Sequence, residues 1–215
     1  VAQLFPRWTN KIPVYLAIGV VILAVAVVFL FWYYGSPKYL EVGYQPRQPV
    51  PYSHKLHAGD LGLDCRYCHT SVENSPAANV PPTQTCMNCH ELIKPESGQL
   101  EAIRRSWKEG VPVRWTRVHM LPDYAFFNHS AHVNAGVGCE SCHGNVAQME
   151  VVEQEKPLSM QWCLDCHRNP ELHIRPMDEV TTMGWQPRDN QLEYASKIIE
   201  KRNINAPTDC SGCHR

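Results

Sequence analysis

The feature that leaves this chain least freedom is a pentapeptide form that occurs five times. The copies are Cys65-Arg66-Tyr67-Cys68-His69, Cys86-Met87-Asn88-Cys89-His90, Cys139-Glu140-Ser141-Cys142-His143, Cys163-Leu164-Asp165-Cys166-His167 and Cys210-Ser211-Gly212-Cys213-His214. C-x-x-C-H is the attachment signature of a c-type haem: two thiols one short turn apart form thioethers to a porphyrin, and the adjacent imidazole binds its iron. All ten cysteines are used by the five motifs, so none remains for a disulfide. A zinc site or a redox dithiol gives no reason for histidine to follow at one offset five times. Five covalently bound c-type haems are therefore expected. Their thioether donors would be Cys65, Cys68, Cys86, Cys89, Cys139, Cys142, Cys163, Cys166, Cys210 and Cys213. Their proximal iron ligands would be His69, His90, His143, His167 and His214.

Five irons have ten axial positions, and the motif histidines fill five. The other six histidines are His54, His57, His119, His129, His132 and His173. Six candidates for five positions allow every iron to be closed by two imidazoles. That favours electron transfer over catalysis at iron, and no catalytic residue is assigned. Met160, near Cys163, is a further candidate ligand that would raise a haem potential. The expectation for it is packing against a porphyrin face, since methionine fills irregular gaps.

So many cofactors restrict the fold. Beyond the first 35 or so residues about 180 remain, roughly 36 per haem, too few for a conventional side-chain core. The predicted class is mainly α with much irregular structure: a single N-terminal transmembrane helix plus a multihaem cytochrome c domain whose core is largely porphyrin. Seventeen prolines suit a loop-rich wrapping. With 20 basic and 21 acidic residues, nothing points to a nucleic-acid partner.

Val14 to Tyr34 is uncharged and apolar, long enough as a helix to cross a bilayer core. Tyr15 at one end and Trp32, Tyr33 and Tyr34 at the other resemble interfacial belts. The run exceeds a usual signal-peptide core and no small-x-small cleavage site follows. Residues 12–34 are read as an uncleaved signal anchor and 1–11 as a short cytoplasmic N-terminus. Flanking charges, Arg7 and Lys11 against Lys38 and Arg47, decide orientation poorly. Haem attachment decides it, because that chemistry takes place outside the bacterial cytoplasmic membrane. The expected location is the cytoplasmic membrane, single-pass, with the haem domain on the periplasmic side. Val1 is not a methionine, so residues are expected to precede it. Residues 35–51, with Pro37, Pro46, Pro49 and Pro51, read as a semi-rigid linker.

A repeat follows. Tyr52-Ser53-His54-Lys55-Leu56-His57 precedes Cys65, and Phe127-Asn128-His129-Ser130-Ala131-His132 precedes Cys139. Each has an aromatic residue, H-x-x-H, and two C-x-x-C-H motifs beyond. This predicts a duplicated two-haem module, 52–95 and 127–170, with a connecting helix and ligand segment over 96–126 and a fifth haem in 171–215. Histidines three apart share one face of a helical turn, so one turn can reach two adjacent irons. Ser97 to Glu109 predicts an amphipathic helix with Leu100, Ile103 and Trp107 on its stripe, stopped by Gly110. Asn190 to Glu193 has capping-box form and opens a helix whose apolar residues are Leu192, Ala195, Ile198 and Ile199. Asp64, Glu73 and Asp165 read as a solvated face.

The paired aromatic-x-H-x-x-H and C-x-x-C-H units are similar to the class III multihaem cytochromes c. The resemblance implies that His54 ligates the haem on Cys65 and Cys68, and His129 the haem on Cys139 and Cys142. His57 and His132 would then bridge to neighbouring haems. The stretch from Val118 to Tyr124, running into Phe127–His132, resembles cytochromes of this group that serve respiratory complexes, and implies His119 over His173 as the fifth distal ligand. One anchor followed by five such motifs resembles the membrane-anchored pentahaem cytochrome c subunits of bacterial alternative complex III, over essentially the whole chain. This implies an electron-transfer subunit, not an enzyme on its own, that relays electrons from menaquinol toward a periplasmic carrier or oxidase. It implies as partners integral membrane quinol-oxidising subunits, an iron-sulfur subunit and a monohaem cytochrome c.

Two other functions compete. A self-sufficient membrane-anchored multihaem quinol dehydrogenase would have its first haem soon after the anchor, whereas about 30 residues separate Tyr34 from Cys65 here. A multihaem reductase with an open haem, of the nitrite reductase kind, would use a lysine variant of one motif, which this sequence lacks.

Overall fold

The uncharged run near the N-terminus forms helix α1, Ile12–Tyr34, entered through a 3-10 turn over Arg7–Lys11. Pro13 sits in its first turn, where a missing N–H costs nothing. Twenty-three residues at 1.5 Å each give about 35 Å, enough to cross about 30 Å of hydrocarbon. Every side chain along α1 is exposed and almost all are apolar, the pattern of a helix solvated by lipid. A short helix α2, Pro37–Leu40, follows. Tyr33, Tyr34 and Tyr39 cluster there, with ring centres 4.7 to 5.7 Å apart, and make an aromatic girdle at one end of α1. The computed structural model describes residues 4–214 and resolves two units, Val1–Glu41 and Val42–Arg215.

The second unit is built from short helices and long irregular connections. A π-helical turn, Lys55–Asp60, precedes α3, Cys65–Cys68, and α4, Thr83–His90. Next come α5, Glu101–Glu109, α6, His129–Ala135, and α7, Glu140–His143. The unit continues through α8, Met160–Arg168, α9, Gln191–Arg202, and α10, Cys210–Cys213. Among the described residues no strand forms; two isolated bridges pair Ala125 with His214 and Val137 with Ile174.

The apolar core is sparse. Among the described residues the buried hydrophobic side chains are Val50, Met87, Ile103, Val133, Ile174, Val180 and Ala195. Seven such residues cannot hold a unit of this length against its chain entropy. The largest cluster, Val50, Met87 and Ile103 with Leu100, Val113 and Trp115 around it, seats α5 on α4. A 2.7 Å bond between the Thr83 and Ser106 hydroxyls fixes the crossing. Gly110, left-handed at φ 67°, stops α5 as the sequence predicts.

Three predicted details are corrected. On α5 the inward residues are Ile103 and Ser106, while Trp107 is 46% exposed, because the narrow contact with α4 admits a hydroxyl but no indole. On α9 Leu192 faces out and Gln191 faces in, where its Nε2 donates to the Glu171 and Ile174 carbonyls at 2.7 and 2.8 Å. Asn190 makes no side-chain cap, and Glu193 bonds Lys197 at 2.6 Å instead of closing a capping box.

The two H-x-x-H turns dock crosswise. The amide of Lys55, next to His54, donates to the Met149 carbonyl beyond the third motif at 3.0 Å. The amide of Ser130, next to His129, donates to the Ser75 carbonyl beyond the first motif at 3.2 Å. Met149 and Ser75 stand six residues after His143 and His69, so the exchange is reciprocal. Asn134 adds a 2.9 Å bond to the Glu73 carbonyl, and Gly59 lies so close to the Ala147 carbonyl that a Cβ would not fit.

Candidate functional site

Each C-x-x-C-H lies on a helical turn: α3, α7 with Cys139 before it, and α10 are little more than the motif, while α4 and α8 contain one each. Thiols three apart on a helix share a face, and the next residue stands over the first cysteine. The amides of His69, His143 and His214 donate to the carbonyls of Cys65, Cys139 and Cys210 at 2.8 to 3.0 Å, which fixes that step. Local residues cap these turns. The Asp64 carboxylate accepts from the Arg66 amide, Ser159 Oγ from the Trp162 amide, and the Asp209 carboxylate from the Gly212 amide.

An imidazole that binds a metal needs one free ring nitrogen and a fixed plane, commonly set by a hydrogen bond from the other nitrogen. Nδ1 of His69 donates to the Asn79 carbonyl at 2.6 Å, that of His90 to Ile93 at 2.9 Å, that of His167 to Pro207 at 2.7 Å and that of His214 to Tyr124 at 3.2 Å. Among the other histidines, His57 donates to Ser53, His132 to Asn128 and His129 to Pro76, each at 2.8 Å. A carbonyl only accepts, so the hydrogen is on Nδ1 and Nε2 carries the free lone pair in all seven.

The spacing of these rings is informative. An imidazole–metal bond of about 2 Å on each side, plus roughly 1 Å from ring centre to nitrogen, puts two rings on one ion about 6 Å apart. His57 and His90 have centres 6.2 Å apart, His132 and His167 5.9 Å, and His129 and His143 6.4 Å with planes within 9°. In both modules the second histidine of the pair faces the later motif.

The aromatic residue of each repeat acts as a clamp. Tyr52 stacks on His57 at 4.4 Å and meets His54 edge-on at 4.8 Å; Phe127 stacks on His132 at 4.6 Å and meets His129 edge-on at 4.8 Å. Burial, then the neighbouring His69 and His57, lowers the pKa of His54 to about 4. Burial, then His119, His129, His69 and His54, lowers that of His143 to about 3. Both rings are neutral at physiological pH, the form that ligates metal.

The remaining candidates are placed differently. His119 lies beside His143, with centres 4.3 Å apart and its Nε2 3.3 Å from the His143 Nδ1. His173 is half-buried just before Ile174, and burial, then Arg175, lowers its pKa. Met160 is 65% exposed at the start of α8. Nδ1 of His54 is buried without a hydrogen-bond partner. Arg66 pairs with Asp64 at 2.9 Å and Glu73 at 3.3 Å, and Asp165 is exposed. Sequence reasoning missed Arg175. It is buried, pairs with Glu140 of the third motif at 3.4 Å, donates to the Thr182 carbonyl and lies over Trp185 at 4.7 Å. No periodicity marks such a residue.

These residues fit haem better than a bare ion. Among the described residues no three His, Cys, Asp or Glu side chains converge as a metal cluster. The thiols are free and mostly half-buried, in a unit with few buried apolar side chains.

Comparison with known proteins agrees. The family model for cytochrome c7 and related cytochromes c matches residues 125–215, which hold the last three motifs. The multihaem cytochrome c subunit of menaquinone reductase from Nitratidesulfovibrio vulgaris is 29% identical over 175 residues, covering 71% of this chain and 80% of that protein.

Proposed function

We propose that this multihaem cytochrome c, mainly helical and with one N-terminal helix able to span a bilayer, carries five haems and relays electrons for a quinone-linked respiratory complex in the bacterial cytoplasmic membrane. The observation that carries the reading is the spacing of three imidazole pairs near 6 Å, each suited to closing one iron from both sides. Covalently bound haem supplies one-electron chemistry at iron. The chain's residues decide what can happen there. Where two of these histidines hold one iron they would leave a substrate nothing to bind, and carbonyl-anchored Nδ1 atoms would keep the ligating rings fixed as charge changes. The ten motif cysteines are the attachment points. His54, His57, His129 and His132 are four distal ligands, and His119 or His173 the fifth. Residues 12–34 anchor the chain with its haem domain on the periplasmic side, and 35–51 join the anchor to modules 52–95 and 127–170, with 171–215 carrying the last haem.

Two assemblies suit such a relay. The arrangement of anchor and motifs resembles the pentahaem subunit of alternative complex III, with integral membrane subunits, an iron-sulfur subunit and a monohaem cytochrome c as partners. The identity with a menaquinone reductase subunit favours a second reading, in which electrons run toward menaquinone. The test is anaerobic optical titration of the purified chain and of its native membrane complex. Menaquinol gives up two electrons and two protons, so each molecule reduces two haems. Reduction in the complex but not in the isolated chain supports a relay fed by quinol-oxidising partners. Oxidation of pre-reduced complex by menaquinone supports the reductase direction. Rapid reduction of the isolated chain makes it a quinol dehydrogenase and overturns the relay.

A further inference from the structure

We infer that the cofactor sites are strung in the order second, first, third, fourth, fifth, so that the first module runs backward and the two modules meet through their first motifs. The inference rests on reading the five motifs as five haem sites. Four sets of contacts carry it.

The second site adjoins the first: Asn88 of the second motif bonds the Tyr67 hydroxyl of the first at 3.3 Å, and His57 faces His90 across 6.2 Å from the turn that also holds His54. The first site adjoins the third through the reciprocal docking of the two H-x-x-H turns. There Asp64 accepts from the Thr181 hydroxyl at 2.8 Å, and the Cys139 amide donates to the carbonyl of Val180, the residue before Thr181, at 3.0 Å. The third adjoins the fourth through α6, where His129 faces His143 and His132 faces His167. The fourth adjoins the fifth where His167 donates to the Pro207 carbonyl, three residues before Cys210.

Exposure agrees as well. Cys89 and Cys210, in the motifs placed at the two ends, are the exposed cysteines, and the other eight are partly buried. Leu92 and Ile93 lie bare beside the second motif, Tyr124 and Phe126 beside the fifth, which suits the ends for meeting redox partners.

The test uses the complete haem-loaded chain and marks one site at a time with His54→Met, His57→Met or His132→Met, since methionine ligation raises a haem's potential. Potentiometric titration followed by electron paramagnetic resonance then shows which other haems shift when the marked one is reduced. The His54 marker is expected to move two signals, those of the second and third sites. The His57 marker moves the first alone, and the His132 marker moves the third and fifth. A variant that loses its haem relieves the same neighbours and gives the same map. Asn134→Ala, which removes no ligand and breaks the bond to the Glu73 carbonyl, is expected to weaken only the coupling between the first and third sites. Coupling of the His57 marker to the third site overturns the order in favour of one that follows the numbering. Fewer than five haems by intact mass in the unmodified chain overturns the pentahaem reading itself, whatever the couplings show.

Discussion

The two H-x-x-H turns make matching clamp and docking contacts from different backbones. In the second, His129 to Ala135 is an ordinary α-helix capped by Asn128 and stopped by Gly136 at φ 93°. In the first, Lys55 to Asp60 is π-helical, with Leu61 donating to Leu56 at 2.9 Å. His57 stands eight residues before Cys65, and His132 seven before Cys139. A π turn absorbs one extra residue without moving the ends of a helix. The insertion is thus taken up locally, and the positions of aromatic clamp, paired imidazoles and docking amide are the same in both copies. What the repeat preserves is the frame of paired imidazoles, and the backbone between gives way.

The largest effect that breaks this likeness is ligand loss. His57→Ala and His132→Ala are each expected to convert one low-spin haem to high spin, at the second and fourth motifs, as well as to loosen the local turn. Paramagnetic resonance should show loss of about one signal in five. Loss only at the first or third motif would end the bridging reading.

Next in size is the docking face. Gly59→Ala puts a methyl group into the Ala147 carbonyl and should cost about 1–3 kcal/mol of stability, read by denaturant unfolding. Asn134→Ala on the opposite docking face removes one exposed bond and should cost about 1 kcal/mol or less.

Third is the cap on the first motif of a module, present on α3 and missing on α7. Asp64 precedes Cys65, whereas Gly138 precedes Cys139, and there Arg175 fills the space a side chain would need. Asp64→Ala should cost about 1 kcal/mol. Bonding from Arg66 lowers the Asp64 pKa to about 2. Its contribution is therefore complete above the unfolded carboxyl value, near pH 4, and lost as pH falls toward 2. Unfolding midpoints of wild type and Asp64→Ala should converge over that window, and separation persisting at pH 2 would assign the stabilisation elsewhere.

The smallest effect sharpens the likeness. Tyr52→Leu and Phe127→Leu each remove one stacked and one edge-on ring contact, worth about 0.5–1.5 kcal/mol. Equal broadening of the low-spin signals in the two variants is the expected result. Broadening in one alone would show that the clamp works in a single module.

The five motifs stand out in the sequence because cysteine and histidine at fixed offsets have few other uses, and α1 was legible because twenty-three uncharged residues have few other homes. The aromatic residue two before each first histidine was visible as a pattern, though its edge-on and face-on geometry was not. The acceptors that orient the imidazoles were hidden, since Asn79, Ile93 and Pro207 act through carbonyls that every residue carries. Trp107 and Leu192 were misassigned for one physical reason: periodicity arguments assume that apolar side chains face other apolar side chains. Where the interior is meant for a flat cofactor, Ser106 and Gln191 can face in and an indole can face out.

The sparse apolar core has a consequence for the denatured state. Thioether-bound cofactors do not leave when the chain unfolds, so their hydrophobic faces remain tied to it and free to associate. The unfolded ensemble should stay compact, held by porphyrin contacts and by histidines that find the wrong irons. Surface newly exposed on unfolding would then be small for a chain of this length, and with it the denaturant m-value and the heat-capacity increment. Reversibility should be limited by how fast misplaced imidazoles let go.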